Sequence, residues 1–513
     1  MSRPGVEVTS AAAAPPLGVP TDTSVGFIVS EAYMGPIDAP TRITSLDEFT
    51  DTYGDAIPGC WGYNSVDTFF HEGGTSLYFQ RLADSTAAAA TKTASTIITG
   101  GGTVDAANPG AWGNTAVLDV VPTPGTEAPP ANGDDGNGTQ TQEVSDLLTF
   151  AVDTGPTFMA TVTVNGRVQQ TSKPLVSGQD LADFLATGGY LRLNGFTAAN
   201  LVKAGQVVLA GGADGALPVT DNAQLVTALA AIPPELGPGQ LLAPGRTAYL
   251  DQAAVLASAA ETNRVALLDA AGPTDDANTC ASASLALRGA DQDRYGSMWA
   301  PWAVIPGTTS GTTRQVPWSA VQAGLCARND LSGNPNQAAA GSWGASNYAI
   351  GLTQAFSADD CEYLLYAGCD TARTVYGAVE AYAFRTLVDP DGLRQQWIEL
   401  NHARLNMAIV AESESVGQDY VFAQIDGRGQ TIAAFGGALT GMLKEFYDDG
   451  ALYSDPGTDD PTTAFQVNVG PAVNTPDKLA DGVLSAVLTV RMSPQAELVQ
   501  IAIVKQAITV SLV

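Results

Sequence analysis

The sequence is poor in the residue types that build catalytic and metal sites. Among 513 residues there are two histidines and five cysteines. The cysteines are scattered, with no CxxC pair and an odd total, which fits neither a disulfide framework nor a zinc site. We therefore expect them to be buried as small apolar side chains: Cys60, Cys280, Cys326, Cys361 and Cys369.

Basic residues and long apolar runs are also scarce. The 23 Lys and Arg residues stand against 53 Asp and Glu, which gives a formal net charge of -30. This charge opposes direct binding to nucleic acid or to an anionic membrane. No window approaches the roughly 18 consecutive apolar residues of a membrane-spanning helix. Because the N-terminal region has no apolar run typical of a secretory signal, we expect a protein made in the cytoplasm with no membrane insertion.

Short motifs that resemble catalytic or metal-binding signatures are each incomplete. The sequence HEGGT at 71–75 begins as a helical zinc-protease motif does, but Thr75 stands where the second histidine must lie. The triplet DTG at 153–155 belongs to aspartic proteases, which need two such carboxylates, and no second triplet occurs. The run DDGNG at 134–138 lacks the glutamate that completes a calcium loop. We therefore predict no enzyme activity, no metal and no cofactor, with His71 at a helix end and His402 structural or interfacial.

Hydrophobic periodicity predicts alternating strands and helices, which favours an α/β fold of two to four domains. A Thr- and Val-rich middle region indicates an inserted β-rich domain. The predicted strands are 25–29, 76–82, 116–121, 147–152, 157–164, 265–269, 382–387, 465–469, 483–492 and 497–513. The predicted helices are 45–53, 63–72, 177–186, 248–263, 275–288, 392–415, 430–449 and 477–481.

The C-terminal stretch 497–513, ELVQIAIVKQAITVSLV, changes its apolar phase partway along. Apolar residues lie on odd positions up to Ile503 and on even positions from Ile508, with Lys505 and Gln506 between them. Since side chains alternate across a strand, this change requires a bulge or two half-strands in different sheets. In one interpretation it is an ordinary final core strand. In the other, 498–504 belongs to the subunit's own sheet and 507–513 pairs with a neighbouring subunit.

The second interpretation makes both chain ends arms that exchange strands between subunits. Residues 9–23 form an Ala- and Pro-rich stretch that extends up to roughly 50 Å, long enough to reach a neighbour. The candidate residues for inter-subunit strand exchange are Val6, Val8, Ala507, Ile508, Val510 and Leu512.

In their order and spacing, short segments along nearly the whole chain resemble contractile tail sheath proteins of bacteriophages and related contractile injection systems. The segments HE at 71–72 and the proline-poor stretch around Pro317 depart from the family pattern. The segments that carry the resemblance are RPGVEV at 3–8, VGF at 25–27, GP at 35–36, ITS at 43–45, Phe49, YG at 53–54, FF at 69–70, GG at 73–74, Arg81, NPG at 108–110, WGN at 112–114, 209–215, Tyr295, PW at 301–302, Pro317, AG at 323–324, Arg328, RTL at 385–387 and Gly482.

The resemblance implies a multidomain α/β (α+β) subunit with an N-terminal arm at 1–23. A middle α/β domain would be formed by 24–84 and 245–388, an outer β-rich insertion domain by 85–244, and an inner tube-proximal domain by 389–513. The inner domain is built from both chain termini, with exchanged terminal strands. The family's chain ends join the sheets of adjacent subunits, as the pattern at 497–513 suggests.

The resemblance also implies a function. The chain would polymerise around an inner tail tube protein as a helical homo-oligomer of stacked hexameric rings, in a metastable extended state. Contraction, triggered by the baseplate, then drives the tube through the target cell envelope. Baseplate and tail terminator proteins are the further partners. The protein would be located in the virion tail after assembly in the host cytoplasm.

The helix at 430–449 is the candidate tube-facing element. Its apolar stripe would pack inward, leaving Lys444, Glu445 and Asp448 to meet the tube; an ordinary solvated face is the alternative. Two other function classes remain open, a cytoplasmic hydrolase with an unrecognised site and a surface-array protein. A surface array requires an export signal that the sequence lacks. Electron microscopy of the purified protein separates a sheath, which forms tubes or rings, from a monomeric hydrolase.

Overall fold

A computed structural model describes residues 21–123, 157–289 and 291–501. These contain twenty strands and eleven α-helices. The strands are β1 (Gly26–Ser30), β2 (Thr41–Ile43), β3 (Leu77–Arg81), β4 (Thr91–Thr93), β5 (Thr103–Ala106), β6 (Val117–Pro122), β7 (Phe158–Val164), β8 (Arg167–Thr171), β9 (Leu191–Asn194), β10 (Gly205–Val208), β11 (Gln240–Leu242), β12 (Val265–Asp269), β13 (Gly296–Ala300), β14 (Ala303–Pro306), β15 (Thr313–Val316), β16 (Gly351–Leu352), β17 (Cys369–Val375), β18 (Ala378–Ala381), β19 (Phe465–Asn468) and β20 (Val487–Val490). The helices are α1 (Leu46–Tyr53), α2 (Gly62–His71), α3 (Gly178–Gly188), α4 (Asn222–Ala230), α5 (Tyr249–Glu261), α6 (Ala277–Leu287), α7 (Trp318–Ser332), α8 (Ala358–Ala367), α9 (Leu400–Gln418), α10 (Gln430–Asp448) and α11 (Pro476–Ala480).

An eight-stranded mixed sheet lies at the centre, in the order β18-β17-β13-β12-β11-β1-β3-β2. Its six inner strands are parallel, and the edge strands β18 and β2 are antiparallel to their neighbours. Strands β1, β12 and β13 are buried along their whole length, as expected for a parallel sheet covered on both faces. Helices α2, α7 and α9 cover one face, and α4, α5, α6 and α8 cover the other. The mixed α/β architecture predicted from periodicity is confirmed.

Local sequence signals start several helices where they were predicted. The Ser45 hydroxyl accepts a hydrogen bond from the Glu48 backbone N–H at 3.1 Å, and α1 follows directly. Ser177 and Asp180 form a reciprocal capping box at the start of α3. Strand β12 has the predicted bounds. The five cysteines are buried, as expected.

A β-rich insertion, which we define as residues 88–213, leaves the central sheet after β3. Ala88 and Ala213 pair with each other where the chain leaves and returns. The insertion contains a four-stranded sheet, β10-β6-β7-β8, a three-stranded sheet, β4-β5-β9, and helix α3, packed around Trp112 and Leu181. Helix α4 and strand β11 fall within the expected outer domain 85–244, but their side chains belong to the central core. The reason is that β11 pairs with β1 and β12. The domain division itself stays a prediction.

Helix α9 joins the central core to a C-terminal unit, which we define as residues 400–492. Leu400 and Met407 pack into the central core, whereas Leu405 and Ile409 pack with α10 and the hairpin β19–β20. Among the described residues, no helix is both long and apolar enough to cross a membrane.

Between the central sheet and the C-terminal unit, two predicted elements disagree with the structure. The predicted strand 382–387 is wrong, because its backbone N–H groups bond to several separate partners: Asp370, Ile398 and Gly296. The strands here are β17 and β18. The helix predicted from 392 begins only at Leu400, since the Ile398 and Trp397 carbonyls are occupied by Thr386.

A buried ion pair fixes α9 to α7. Arg404 Nη2 lies 2.5 Å from Asp330 Oδ2, and the two side chains are 0% and 4% exposed. The same carboxylate oxygen accepts a hydrogen bond from Thr23 Oγ1 at 2.7 Å, which also fixes the start of the described chain. A charge at this depth is tolerated only with its partner present.

Replacing Arg404 by Met should lower the free energy of unfolding by about 3–5 kcal/mol, because Asp330 is left as an unpaired buried charge. Chemical denaturation followed by circular dichroism measures this loss. The double variant Asp330→Leu/Arg404→Met should lose less than Arg404→Met alone, and the exposed control Arg167→Met should lose little. The pairing would be contradicted if the double variant lost as much free energy of unfolding as Asp330→Leu and Arg404→Met lose together when measured singly.

Candidate functional site: the anchored tail and the α10 surface

The tail segment, residues 493–501, begins with a tight attachment to the C-terminal unit and α7 region. The Ser493 N–H donates to the Ala451 carbonyl at 2.9 Å. The Ser493 carbonyl accepts from Asn336 Nδ2 at 2.8 Å and lies 3.2 Å from His402 Nε2. His402 therefore has a structural contact with the tail segment, as the sequence analysis allowed.

The attachment continues to Glu497. The Gln495 side chain donates through Nε2 to the Phe384 carbonyl at 3.3 Å, and the Gln495 backbone N–H donates to Glu399 Oε2 at 3.3 Å. Arg385 binds Glu497 through both Nε, at 3.0 Å, and Nη2. We call residues 493–497, with these contacts, the tail anchor.

Asp370, on β17 of the central sheet, supports the tail anchor from behind. Its Oδ2 accepts from the Arg385 N–H at 2.8 Å and from Ser297 Oγ at 2.9 Å. The carboxyl is fully buried, and its Oδ1 has no partner among the described residues. Burial raises the pKa of Asp370 to about 7, against the opposing effect of these hydrogen bonds.

Beyond the anchor, the tail segment is largely apolar and exposed. Leu498, Val499 and Ile501 are 75%, 73% and 81% exposed, and residues 497–501 form no strand. The prediction that 498–504 belongs to the subunit's own sheet is therefore wrong for 498–501. The physical reason is that β20 pairs with β19, and Met492 with Leu452, before the anchor directs the chain onto α9. The strand-exchange candidates Val6, Val8, Ala507, Ile508, Val510 and Leu512 lie outside the described residues.

The hairpin β19–β20 is a sheet of two strands. Among the described residues, neither strand has a second strand neighbour, although single bridges occur nearby. Val487 is 50% exposed at the start of β20. Two-stranded sheets are marginal alone, and their open edges accept further strands.

The outer surface of α10 carries the three charged candidates. Lys444, Glu445 and Asp448 are exposed, and Lys444 Nζ lies 2.7 Å from Asp448 Oδ1. The predicted apolar stripe packs inward: Leu439 and Leu443 are buried, and Ile432, Phe435 and Phe446 are half-buried. The turn between α9 and α10 exposes the whole Phe422 side chain, which the sequence analysis did not single out.

Comparisons with known proteins were made by sequence and by structure. No protein-family model matches the chain, and no curated protein matches it. A sheath tail protein from Listeria innocua aligns with a TM-score of 0.59 and 14% identity, covering 88% of this chain and 89% of that chain. The helical sheath of the anti-feeding prophage, in its contracted state, aligns with a TM-score of 0.52 and 15% identity, covering 99% and 100%. The sheath complex of an extracellular contractile injection system, PVC, in its contracted state, aligns with a TM-score of 0.53 and 13% identity, covering 99% of this chain and 98% of that chain.

The chain has the fold of contractile tail sheath proteins. Two of these sheath subunits cover 99% of the chain, so the insertion and the C-terminal unit are parts of the sheath fold rather than additions to it. In this sheath fold the tail anchor depends on residues that sequence reasoning missed. Arg385 was noted only within the RTL segment, and Asp370 and Asn336 gave no signal, since single polar residues in a strand or loop have no recognisable spacing.

The enzyme-like motifs hold structural contacts where they are described. His71 lies at the end of α2, as predicted, and stacks on Tyr348 with ring centroids 4.1 Å apart. Glu72 is fully buried and accepts from the Asn347 N–H at 2.8 Å and from Ser346. Within the described residues, no group of three or more His, Cys, Asp or Glu could hold a metal ion. Residues 134–138, the strand 147–152 and the triplet 153–155 lie outside the described residues.

Asp370 should make the stability of this sheath fold depend on pH. In the unfolded chain its pKa is 3.8, so the stabilisation from the protonated form is complete below about pH 3.8 and is lost as the pH rises through about 7. Asp370→Asn mimics the protonated carboxyl and keeps an acceptor for Ser297 and Arg385. At pH 8 the free energy of unfolding of the variant should exceed that of the native protein by on the order of 2–4 kcal/mol. At pH 4.5 the two free energies of unfolding should differ little.

Thermal and urea unfolding at the two pH values measure this difference. Asp55→Asn, at an exposed carboxyl, is the matched control and should behave as the native protein does at both. Equal destabilisation by Asp370→Asn at pH 4.5 and pH 8 would show that Asp370 is charged throughout this range.

Proposed function

We propose that the chain is the structural subunit of a contractile tail sheath. Subunits polymerise helically, as stacked hexameric rings, around an inner tube protein in a metastable extended state. Contraction then drives the tube through the envelope of the target cell, with baseplate and tail terminator proteins at the two ends. The sheath fold supports this function, and no catalytic role is part of the proposal. The subunit would be assembled in the host cytoplasm and would function in the tail.

The observation that carries the proposal is an anchored tail whose next residues, 498–501, are largely apolar and exposed and form no strand with the described part of the chain. A monomer gains nothing from exposing Leu498, Val499 and Ile501. A neighbouring subunit offers them a partner, because an open sheet edge binds an extended segment through backbone hydrogen bonds. The open hairpin β19–β20 is such an edge in every copy. We propose that 507–513 pairs there, beside Val6 and Val8 of another subunit's arm.

Strand exchange of this kind explains how a sheath can contract without coming apart. Each backbone hydrogen bond contributes only about 0.5–1.5 kcal/mol net. The tail anchor holds one end of the link on its own subunit, so the domains can rotate as rigid bodies while neighbours stay joined. Repetition over many subunits makes these modest links sufficient.

We propose that the α10 surface contacts the inner tube. Lys444, Glu445 and Asp448 lie on one exposed side of a helix whose other side is fixed by Leu439 and Leu443. A rigid helix presents charges in a defined geometry, which suits recognition of a regular partner.

Deleting residues 507–513 should leave the domains folded but abolish polymerisation, because the strand that joins neighbours is lost. Negative-stain electron microscopy and sedimentation measure assembly, and circular dichroism measures folding. A point-variant pair refines the test. Ile508→Asn/Val510→Asn/Leu512→Asn, on the apolar face, should prevent assembly, whereas Thr509→Asn/Ser511→Asn, on the other face, should not. Tubes formed by the truncated protein would refute strand exchange.

Charge reversal at Lys444 should weaken the tube contact but not sheath self-assembly. Lys444→Glu breaks the pair with Asp448 and gathers three negative charges on α10. Copurification of the tube protein with assembled sheath should fall, by about tenfold for a loss of about 1.4 kcal/mol. Lys173→Glu, which makes the same change at an exposed lysine of the insertion, is the control. Equal tube recovery with both variants would rule out the α10 surface as the tube contact.

A further inference from the structure

A cavity lies between the loop after β1 and the insertion. Its volume is about 310 Å³, at the lower end of the range for small-molecule sites. One wall is formed by the loop after β1, which includes Met34 and Asp38. The other is formed by Asn108, Trp112, Tyr190 and Arg192 of the insertion.

The two walls are fixed to each other by the buried Arg81. Its Nη1 donates to the Gly35 carbonyl on one wall at 2.9 Å and to the Pro109 carbonyl on the other at 3.0 Å. Tyr190 adds a second link, because its hydroxyl donates to the Asp51 carbonyl at 3.0 Å. The cavity is therefore preformed rather than a gap between loosely joined domains.

Asn108 is the polar group that most clearly lacks a partner here. The side chain is 7% exposed, lines the cavity and makes no hydrogen bond with any part of the chain that the structure describes. The amide has two donor hydrogens and an acceptor oxygen, and the described part of the chain uses none of them. A bound molecule with hydroxyl groups would satisfy both functions.

The remaining lining defines the chemistry of such a molecule. Trp112 is 1% exposed and its indole N–H donates to the Pro109 carbonyl, so its ring belongs to the core of the insertion. Tyr190 is half-buried and its hydroxyl is paired, so its ring supplies the apolar surface. Asp38 and Arg192 contribute one charge of each sign, and neither makes an ion pair within the described residues. A balanced pair of charges, one accessible aromatic ring and a free amide suit a neutral ring with hydroxyls on its edge and C–H groups on its face.

We propose that this cavity binds a pyranose sugar. Asn108 hydrogen-bonds to the ring hydroxyls, the Tyr190 ring packs against the C–H face of the sugar, and Asp38 and Arg192 bind hydroxyls at the mouth. The site lies away from the tail anchor and from α10, and it does not depend on the proposed sheath function. The sugar is either free in solution or the terminal residue of a surface glycan, and both present the same ring.

Isothermal titration of the full chain tests the site, with methyl α-glucopyranoside, methyl β-galactopyranoside, methyl α-mannopyranoside and N-acetylglucosamine as probes. At least one should bind saturably. Asn108→Leu should weaken that binding about tenfold, because a ligand hydroxyl loses its partner. Arg192→Gln, at an exposed residue, should weaken it several-fold, and Arg167→Gln, at an exposed residue outside the cavity lining, should leave it unchanged.

A glycan array probed with the same protein separates the two sources. If a sugar binds saturably in the titration but no glycan on the array gives a signal, the ligand is a free sugar. If both experiments show binding, the ligand is the terminal residue of a glycan. If Asn108→Leu fails to fold, as judged by circular dichroism, the comparison of sugar affinity between Arg192→Gln and Arg167→Gln tests the site instead. No saturable binding in either experiment, or binding unchanged by both Asn108→Leu and Arg192→Gln, overturns the proposal.

Discussion

Six adjacent parallel strands, from β17 across to β3, impose the constraint on which the rest of the structure depends. Parallel neighbours cannot be joined by a tight turn, so each pair requires a crossover segment that covers a face of the sheet. Strand β1 lies between β3 and β11, and the chain from β3 to β11 is long enough to hold a whole β-rich insertion. The antiparallel edge strand β18 ends this arrangement, and the chain leaves from it toward α9.

The carboxyl ends of β12 and β13, where α/β proteins commonly bind ligands, are occupied here by structural contacts. Asp269 and Asp370 are aligned through Trp299 in the register of β12, β13 and β17. Asp269 accepts from Ser319 and from the Gly245 N–H, and Asp370 accepts from Arg385. Burial raises the pKa of Asp269 to about 6. The two carboxyls thus hold the start of α7 and the tail anchor against the sheet.

Elements with strong local signals were predictable, and those defined by distant contacts were not. A capping serine predicted α1, and continuous apolar residues predicted β12. Strand β17, with sequence CDTARTV, has no such pattern, because Asp370 is buried through contacts with Ser297 and Arg385 that are far away in the sequence. The segment 497–501 has the alternation of a strand, yet a strand needs a partner, and sequence periodicity does not specify one. The cavity beside Asn108 arises where the loop after β1 meets the insertion, a contact for which the sequence carries no spacing.

The free energy of the tail segment decides how a link of this kind behaves. Ordering a residue costs about 1–2 kcal/mol of backbone entropy. Burying a side chain such as Leu498, Val499 or Ile501 contributes about 1.5–3 kcal/mol, and each new backbone hydrogen bond about 0.5–1.5 kcal/mol. The net gain for a few residues is therefore a few kcal/mol per subunit. In the proposed strand exchange, the tail anchor places the segment before it pairs, and repetition in a lattice makes the link permanent. The proposed exchange would thus let one weak, repeated contact serve both assembly and attachment during a rigid-body change.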